Sequence, residues 1–286
     1  MKVNDKIALY ANPYPEMSSY LEMVDFAIEH GIKNLEILSV MEFETPDLSF
    51  AHKLREYADK KGVKIVCVSK GGDIVVGDDY KKSVENVKRY ADVAKILGAQ
   101  YLHHTIAFEF MDPDKVLPYK DLYIERGIEG AREINEYAKS IGIKTIVEEQ
   151  GYIFNGIEGC KRLTDSVKDI GILADYGNIL QVEERLEDFI PHFSDRIWHV
   201  HVKDYAIAYK DEDLPDCKKE YTINKHYIVG CPFGKGDADF ERIYEELKKI
   251  GYNGYYSMEV NCPSKEQVGI YLDKLKLFSD FLDNHD

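Results

Sequence analysis

Residues Ile124 to Glu149 read IERGIEGAREINEYAKSIGIKTIVEE, and three features of this stretch decide the fold. Ile124, Ile128, Ala131, Ile134, Ala138 and Ile141 recur every three or four residues, the stripe of a helix that buries one face. Gly142 follows where the chain has to leave that helix in the left-handed conformation, which a residue without Cβ adopts at little cost. Lys144 to Glu149 is then a short run rich in β-branched residues, the mark of a strand.

Outward from this unit the same order repeats. Gly31 precedes Asn34 to Val40, Gly62 precedes Lys64 to Ser69, Gly98 precedes Gln100 to Thr105, and Gly251 precedes Tyr255 to Val260. Ile7 to Tyr10, Ile172 to Tyr176 and Ile197 to Lys203 complete a set of eight strand-like runs, nearly every one followed by an amphipathic stretch. Ser19 and Glu22 read as a capping box for the first helix, after a loop containing Pro13 and Pro15. Strict alternation implies parallel strands joined by right-handed crossovers, and eight such units in 286 residues have the size of a (β/α)8 TIM barrel. A doubly wound open sheet is the alternative, but no G-x-G-x-x-G follows the first strand. Residues 1–286 are therefore read as a single α/β domain. A long insertion after the seventh strand, Ala206 to Asp239, has the length of a lid or binding loop.

The chain carries 52 acidic against 37 basic residues, and the formal net charge of -15 tells against a nucleic-acid backbone or an anionic membrane as partner. An apolar content of 44% provides for a large core. No run approaches the length of a membrane span and the opening residues lack a signal-peptide core, so a cytoplasmic location is expected. Five scattered cysteines without a C-x-x-C pair suggest neither a disulfide framework nor a thiolate zinc site.

In such a barrel the active site lies at the C-terminal ends of the strands, and polar residues recur there at matching depth. Strand five ends Val147-Glu148-Glu149, strand six ends Ala174-Asp175, strand seven reads Trp198-His199-Val200-His201-Val202-Lys203, and strand eight ends Met258-Glu259. Glu148 to Asp175 is 27 residues and Asp175 to His201 is 26, about one strand-helix unit each, so the side chains converge on one rim. The insertion accounts for the longer step to Glu259. Period two on strand seven turns Ile197, His199, His201 and Lys203 inward and gives Trp198, Val200 and Val202 to the helices. On strand eight it turns Ser257 and Glu259 inward and Tyr256, Met258 and Val260 outward. Three carboxylates and an imidazole gathered in a low-dielectric mouth cannot all stay charged and unpaired. A divalent cation resolves the conflict, and the donor set suits Mn2+ first, with Co2+, Mg2+ and Zn2+ as alternatives. The competing reading is a set of rim salt bridges to Lys203 or to arginines.

Together, Ile146 to Gln150, Asp175 to Asn178, His199 to Asp204, Gly234 to Phe240 and Met258-Glu259 resemble the xylose-isomerase-like TIM-barrel superfamily of sugar phosphate isomerases and epimerases. The resemblance covers almost the whole chain. It implies that Glu148, Asp175, His201 and Glu259 are metal ligands. The expected reaction is isomerisation or epimerisation of a small polyhydroxylated carbonyl compound, a sugar or cyclitol, through an enediolate, with Glu148 and Glu259 as the acid/base pair. Two positions depart from the ketose 3-epimerases. They carry a histidine three residues after the strand-six aspartate, where this chain has Asn178, and an arginine six residues after the strand-seven histidine, where it has Ile207. The AP endonuclease branch would also use a histidine at position 178, and the acidic charge argues against DNA. β-Elimination, as in inosose dehydratases or C-glycoside deglycosidases, shares the metal, enolate and base and is the alternative chemistry. A metal- and sugar-binding barrel without turnover is the non-enzymatic alternative.

The candidate substrate contacts are Glu36, His103, His104, Asn178, His199, Lys203 and Lys235. Glu36 lies between Leu35 and Ile37 and so points into the barrel, with a core carboxylate paired to a lysine as the plainer reading. His103 and His104 are neighbours on one strand, so only one faces the interior, and periodicity does not say which. Lys203 either neutralises a metal carboxylate or pairs with Glu148 or Asp204. Tyr10, Tyr14, Tyr152 and Tyr205 stand at or just past strand ends, where a ring can stack on a sugar. The single Trp198, on the site strand, is expected to report metal binding by fluorescence. A homo-oligomer is expected by analogy with other barrels.

Overall fold

The structure, a computed structural model, describes residues 6–11, 17–107, 112–209, 220–231, 233–259 and 265–285. Pro13, Tyr14, Pro15 and Val260 lie outside the described residues, as does the 210–219 part of the insertion. The first half of the chain runs β1 (Ile7–Tyr10), α1 (Tyr20–Glu29), β2 (Asn34–Leu38), α2 (Leu48–Lys61), β3 (Lys64–Lys70), α3 (Tyr80–Leu97), β4 (Tyr101–His104), α4 (Pro113–Val116), α5 (Lys120–Ser140) and β5 (Lys144–Glu148). The second half runs α6 (Gly156–Ser166), β6 (Gly171–Asp175), α7 (Leu186–Phe189), β7 (Ile197–Val202), β8 (Tyr205–Ala208), β9 (Glu220–Tyr221), β10 (Tyr227–Gly230), α8 (Phe240–Lys249), β11 (Tyr256–Met258) and α9 (Lys265–His285). Parallel pairing in the order β1-β11-β7-β6-β5-β4-β3-β2 closes the barrel. The five glycines that punctuate the sequence all have positive φ, 85° at Gly142. The N-terminal cap of α1 differs from the expected box. Ser19 Oγ accepts from Leu21 N, while Glu22 reaches back to Ser18 N rather than to Ser19.

The strands divide the core into two layers. Leu9, Leu35, Val68, Leu102, Val147, Ala174, Val200, Val202 and Met258 belong to the layer shared with the helices. Ala8, Val66, Cys67, Tyr101, Ile146 and Leu173 form a smaller cluster inside the barrel. Two residues further along the parallel strands the interior turns polar: Cys67 gives way to Ser69, Tyr101 to His103, Ile146 to Glu148 and Leu173 to Asp175. An apolar plug thus closes the N-terminal end and leaves the polar side chains at the other.

A bulge corrects one expectation. The β6–β7 register shifts between Ile172 and Leu173, so Ile172 pairs with Ile197 and Leu173 with His199, leaving Trp198 as the extra residue. Alternation breaks at that point. Ile197 joins the helix-side layer, while Trp198 packs on the interior plug and stacks with Tyr101 at 6.3 Å between centroids. From His199 onward the expected inward set holds. Trp198 therefore sits at the base of the barrel, away from the mouth.

The described part of the insertion forms an antiparallel sheet in the order β8-β10-β9. It is tied to the barrel loops by Ile223 N to Gln181 O (2.7 Å), Tyr152 Oη to Tyr221 O (2.6 Å), and Lys225 to Asp112 (2.7 Å). The return segment wraps Asp204, whose Oδ2 accepts from Lys235 N (3.0 Å) and Gly236 N (2.9 Å). A Cβ on Gly236 would lie 2.2 Å from Asp204 Oδ1 and 2.4 Å from Tyr205 O, so the backbone approach leaves room only for glycine. No helix among the described residues is long and apolar enough to cross a membrane.

Candidate metal centre

Four strand ends bring Glu148, Asp175, His201 and Glu259 together, with one donor atom from each lying within 4.8 Å of the others. His201 Nδ1 is 3.1 Å from Glu259 Oε2, 3.3 Å from Glu148 Oε1 and 3.9 Å from Asp175 Oδ2. The turn after β6 orients the aspartate: Asp175 Oδ1 accepts from Gly177 N (2.7 Å) and Asn178 N (2.8 Å), which leaves Oδ2 facing the cluster. His201 Nδ1 and Asp175 Oδ2 are buried without a hydrogen bond from the described residues. Three carboxylates and an imidazole nitrogen gathered at one buried point form a donor set that fits a divalent cation.

Cationic and neutral side chains surround the four. Lys203 Nζ is 3.0 Å from Glu259 Oε2 and 3.2 Å from Asp175 Oδ2, so it pairs with two of the candidate ligands rather than with Glu148 or Asp204. Asn178 Nδ2 donates to Glu148 Oε1 at 2.9 Å. His103 faces the interior, its Nε2 3.5 Å from Glu148 Oε2, whereas alternation sends His104 to the other face, where Nδ1 meets Thr105 O at 3.2 Å. Tyr10 meets His201 edge-on at 5.1 Å. Lys235 is exposed, and its backbone rather than its side chain is bound to Asp204. Ile207 packs beside the helix-side core.

Beneath the carboxylates lies a second polar layer. Glu36 is fully buried and is paired with histidines, not with a lysine. His201 Nε2 is 3.0 Å from Glu36 Oε1, His199 Nε2 is 2.8 Å from Oε2, and Ser69 and Ser257 donate to the two oxygens. Glu36 also falls within metal-ligating reach of His103 with His201 and of Cys67 with His199. Its oxygens, however, are already engaged by hydrogen bonds. Ser69 is a further member of this layer, and its signal in the sequence is period two from Cys67, which turns it inward. Glu149 is a further support: buried on the opposite side of β5 from Glu148, it accepts from Asp175 N at 2.6 Å.

The charges follow from burial and these contacts. Burial pushes the Glu36 carboxyl up, but the His201 and His199 rings together bring it well below the ordinary range. Burial works against ionisation of Glu259 too, yet Lys203 and His201 hold it down at about 2. Asp175 rises to about 7 through burial and its carboxylate neighbours, against the pull of Lys203. Burial, with Asp175 and Glu148 nearby, sends Glu149 well up, so it keeps its proton. Burial lowers His103 to about 4, which leaves a neutral ring.

A family model described as xylose isomerase-like TIM barrel matches residues 24–281. An inosose dehydratase of Lacticaseibacillus casei is 22% identical over 259 residues, covering 85% of this chain and 72% of the relative. The crystal structure of 3-keto-D-glucoside 4-epimerase from E. coli superposes with a TM-score of 0.73 at 17% identity, covering 95% of this chain and 98% of the other. A xylose isomerase-like TIM barrel protein from Mycobacterium smegmatis in complex with magnesium gives a TM-score of 0.70 at 16% identity, covering 96% and 95%. At these identities the solved structures speak for the fold alone.

Proposed function

Because the chain belongs to the xylose isomerase-like TIM-barrel family, we propose that it is a divalent-metal-dependent isomerase or epimerase of a small polyhydroxylated sugar or cyclitol carbonyl compound. The observation that carries this reading is the convergence of Glu148, Asp175, His201 and Glu259 on one point, with a donor atom of each within 4.8 Å of the others. These four would hold the cation, Mn2+ first among the candidates, and when bound it would supply Lewis-acid stabilisation of the developing enediolate charge.

The chain's own groups do the rest. Glu148 and Glu259 enter from strands separated by β6 and β7 in the closed order, so a carboxylate stands on either side of the substrate carbon to take and return a proton. Asn178 holds Glu148 Oε1 by its amide, which keeps the second oxygen turned toward His103. Lys203 offsets part of the negative charge that three carboxylates bring to one mouth. Asn178 and Ile207 stand where ketose 3-epimerases carry histidine and arginine, which favours a substrate held differently from theirs.

A second reading is β-elimination of water. It is favoured by the inosose dehydratase relative, with the Lys203 ammonium at the mouth as the group that could give the leaving hydroxyl its proton. A screen of ketoses, inososes and glycosides in deuterated water with metal-loaded protein separates the two. Deuterium at the α-carbon with the hydroxyls retained supports isomerase or epimerase chemistry, and an unsaturated or dehydrated product supports elimination. No turnover of any polyhydroxylated carbonyl by fully loaded protein would overturn both.

A further inference from the structure

The layer under the carboxylates can be solved for its proton positions. Glu36 Oε1 receives His201 Nε2 at 3.0 Å and the Ser69 hydroxyl, while Oε2 receives His199 Nε2 at 2.8 Å and Ser257 Oγ at 2.5 Å. A carboxylate only accepts, so His201 carries hydrogen on Nε2, and the single hydroxyl hydrogen of Ser69 is committed to Glu36. Ser69 Oγ then meets His103 Nδ1 at 3.0 Å as an acceptor, which places the hydrogen of the neutral His103 ring on Nδ1. Both rings therefore turn their other nitrogen toward the mouth, His103 Nε2 as a lone pair and His201 Nδ1 as the nitrogen a cation would claim. His201 Nδ1 and His103 Nε2 are buried without a hydrogen bond from the described residues, 3.3 Å and 3.5 Å from the Glu148 carboxylate.

We propose that Glu36 is a positioning residue that sets both imidazoles: directly, so that His201 presents Nδ1 as a metal ligand, and through Ser69, so that His103 presents Nε2 as an acceptor for a substrate hydroxyl. Glu36, a candidate substrate contact by its sequence, has both oxygens consumed by four donors. His103 Nε2 and Glu148 Oε2 are two acceptors facing each other, an arrangement that a hydroxyl hydrogen bridging them relieves. Histidine ligands are commonly oriented this way by a carboxylate on the far nitrogen, and loss of that partner costs about 10–100-fold in metal affinity. The His201 part rests on the metal reading above; the His103 part does not.

The test uses the intact chain and Mn2+ or Co2+ alone as titrant, with Glu36→Gln, Glu36→Leu and Ser69→Ala. Calorimetry is expected to show metal affinity about 10–100-fold weaker in both Glu36 variants and within about threefold of wild type in Ser69→Ala. Long-range proton–nitrogen spectra of metal-free, 15N-histidine protein, assigned with His103→Asn, are expected to show His103 as the Nδ1–H tautomer. Ser69→Ala is expected to shift it toward Nε2–H. Wild-type metal affinity in the Glu36 variants would overturn the His201 part, and an Nε2–H tautomer in wild type would overturn the His103 part. A wild type that binds no metal would instead remove the metal reading, and the tautomer would still decide His103. The wild-type and Ser69→Ala spectra need no Glu36 variant, so they also decide the matter if those variants fail to fold by circular dichroism.

Discussion

Lys203 Nζ stands 3.0 Å from Oε2 of Glu259, the one candidate ligand whose side chain keeps appreciable exposure, at 19%. The same ammonium is 3.2 Å from Asp175 Oδ2, so it holds oxygens that a cation would also draw on. Removing one partner of a buried ion pair leaves the other uncompensated and costs about 3–5 kcal/mol. Lys203→Met is therefore expected to lower the stability of metal-free protein by about that amount in urea unfolding with chelator present. It is expected at the same time to tighten divalent-metal binding, because the site loses a positive charge. A variant that loses stability and metal affinity together would contradict this account.

Gly236 and Gly234 separate space from backbone strain. Gly236→Ala would drive a methyl group onto Asp204 and the Tyr205 carbonyl, whereas nothing lies within 4 Å of a Cβ at Gly234, where only a positive φ of 71° opposes it. Overpacking costs about 1–3 kcal/mol, and left-handed strain about 1 kcal/mol. Thermal melts are expected to place Gly236→Ala below Gly234→Ala, at roughly 2–4 °C per kcal/mol. Equal melting points would mean that the Asp204 clamp yields freely.

His104 gives the pH dependence its sign. Burial lowers it from 6.5 to about 4, so between those values the unfolded chain takes up a proton that the native ring refuses. Stability contributed by the neutral ring is complete above pH 6.5 and is lost as pH falls toward 4, by about 3 kcal/mol. Unfolding free energies of wild type are expected to fall through this window more steeply than those of His104→Gln. Parallel slopes would place the acid sensitivity elsewhere.

Most of the barrel was legible because its signals are local. A glycine at each helix exit and a period-two strand after it are backbone requirements, and Gly142 with Lys144 to Glu148 meets both. The mouth was legible for the same reason, since regular spacing in a parallel barrel brings Glu148, Asp175 and His201 to one rim. What failed to read was non-local. The bulge that exchanges Ile197 and Trp198 depends on the β6 partner strand, and it moves the tryptophan to the base of the barrel, where fluorescence is a poor reporter of the mouth. Glu36 read as a lone inward carboxylate, because its donors come from β3, β7 and β11, up to 221 residues away in sequence. For Lys235, a candidate substrate contact, the contact the structure shows is through its backbone, where the segment folds around Asp204.

If Glu148, Asp175, His201 and Glu259 form one divalent-metal site, as proposed, the protein binds metal in a fixed ratio that these side chains control. Elemental analysis after loading with Mn2+ or Co2+ and removal of excess is expected to give about one ion per chain in wild type. Glu148→Gln and His201→Ala, still folded by circular dichroism, are expected to retain almost none. Wild type without stoichiometric metal, or variants that keep it, would contradict the claim.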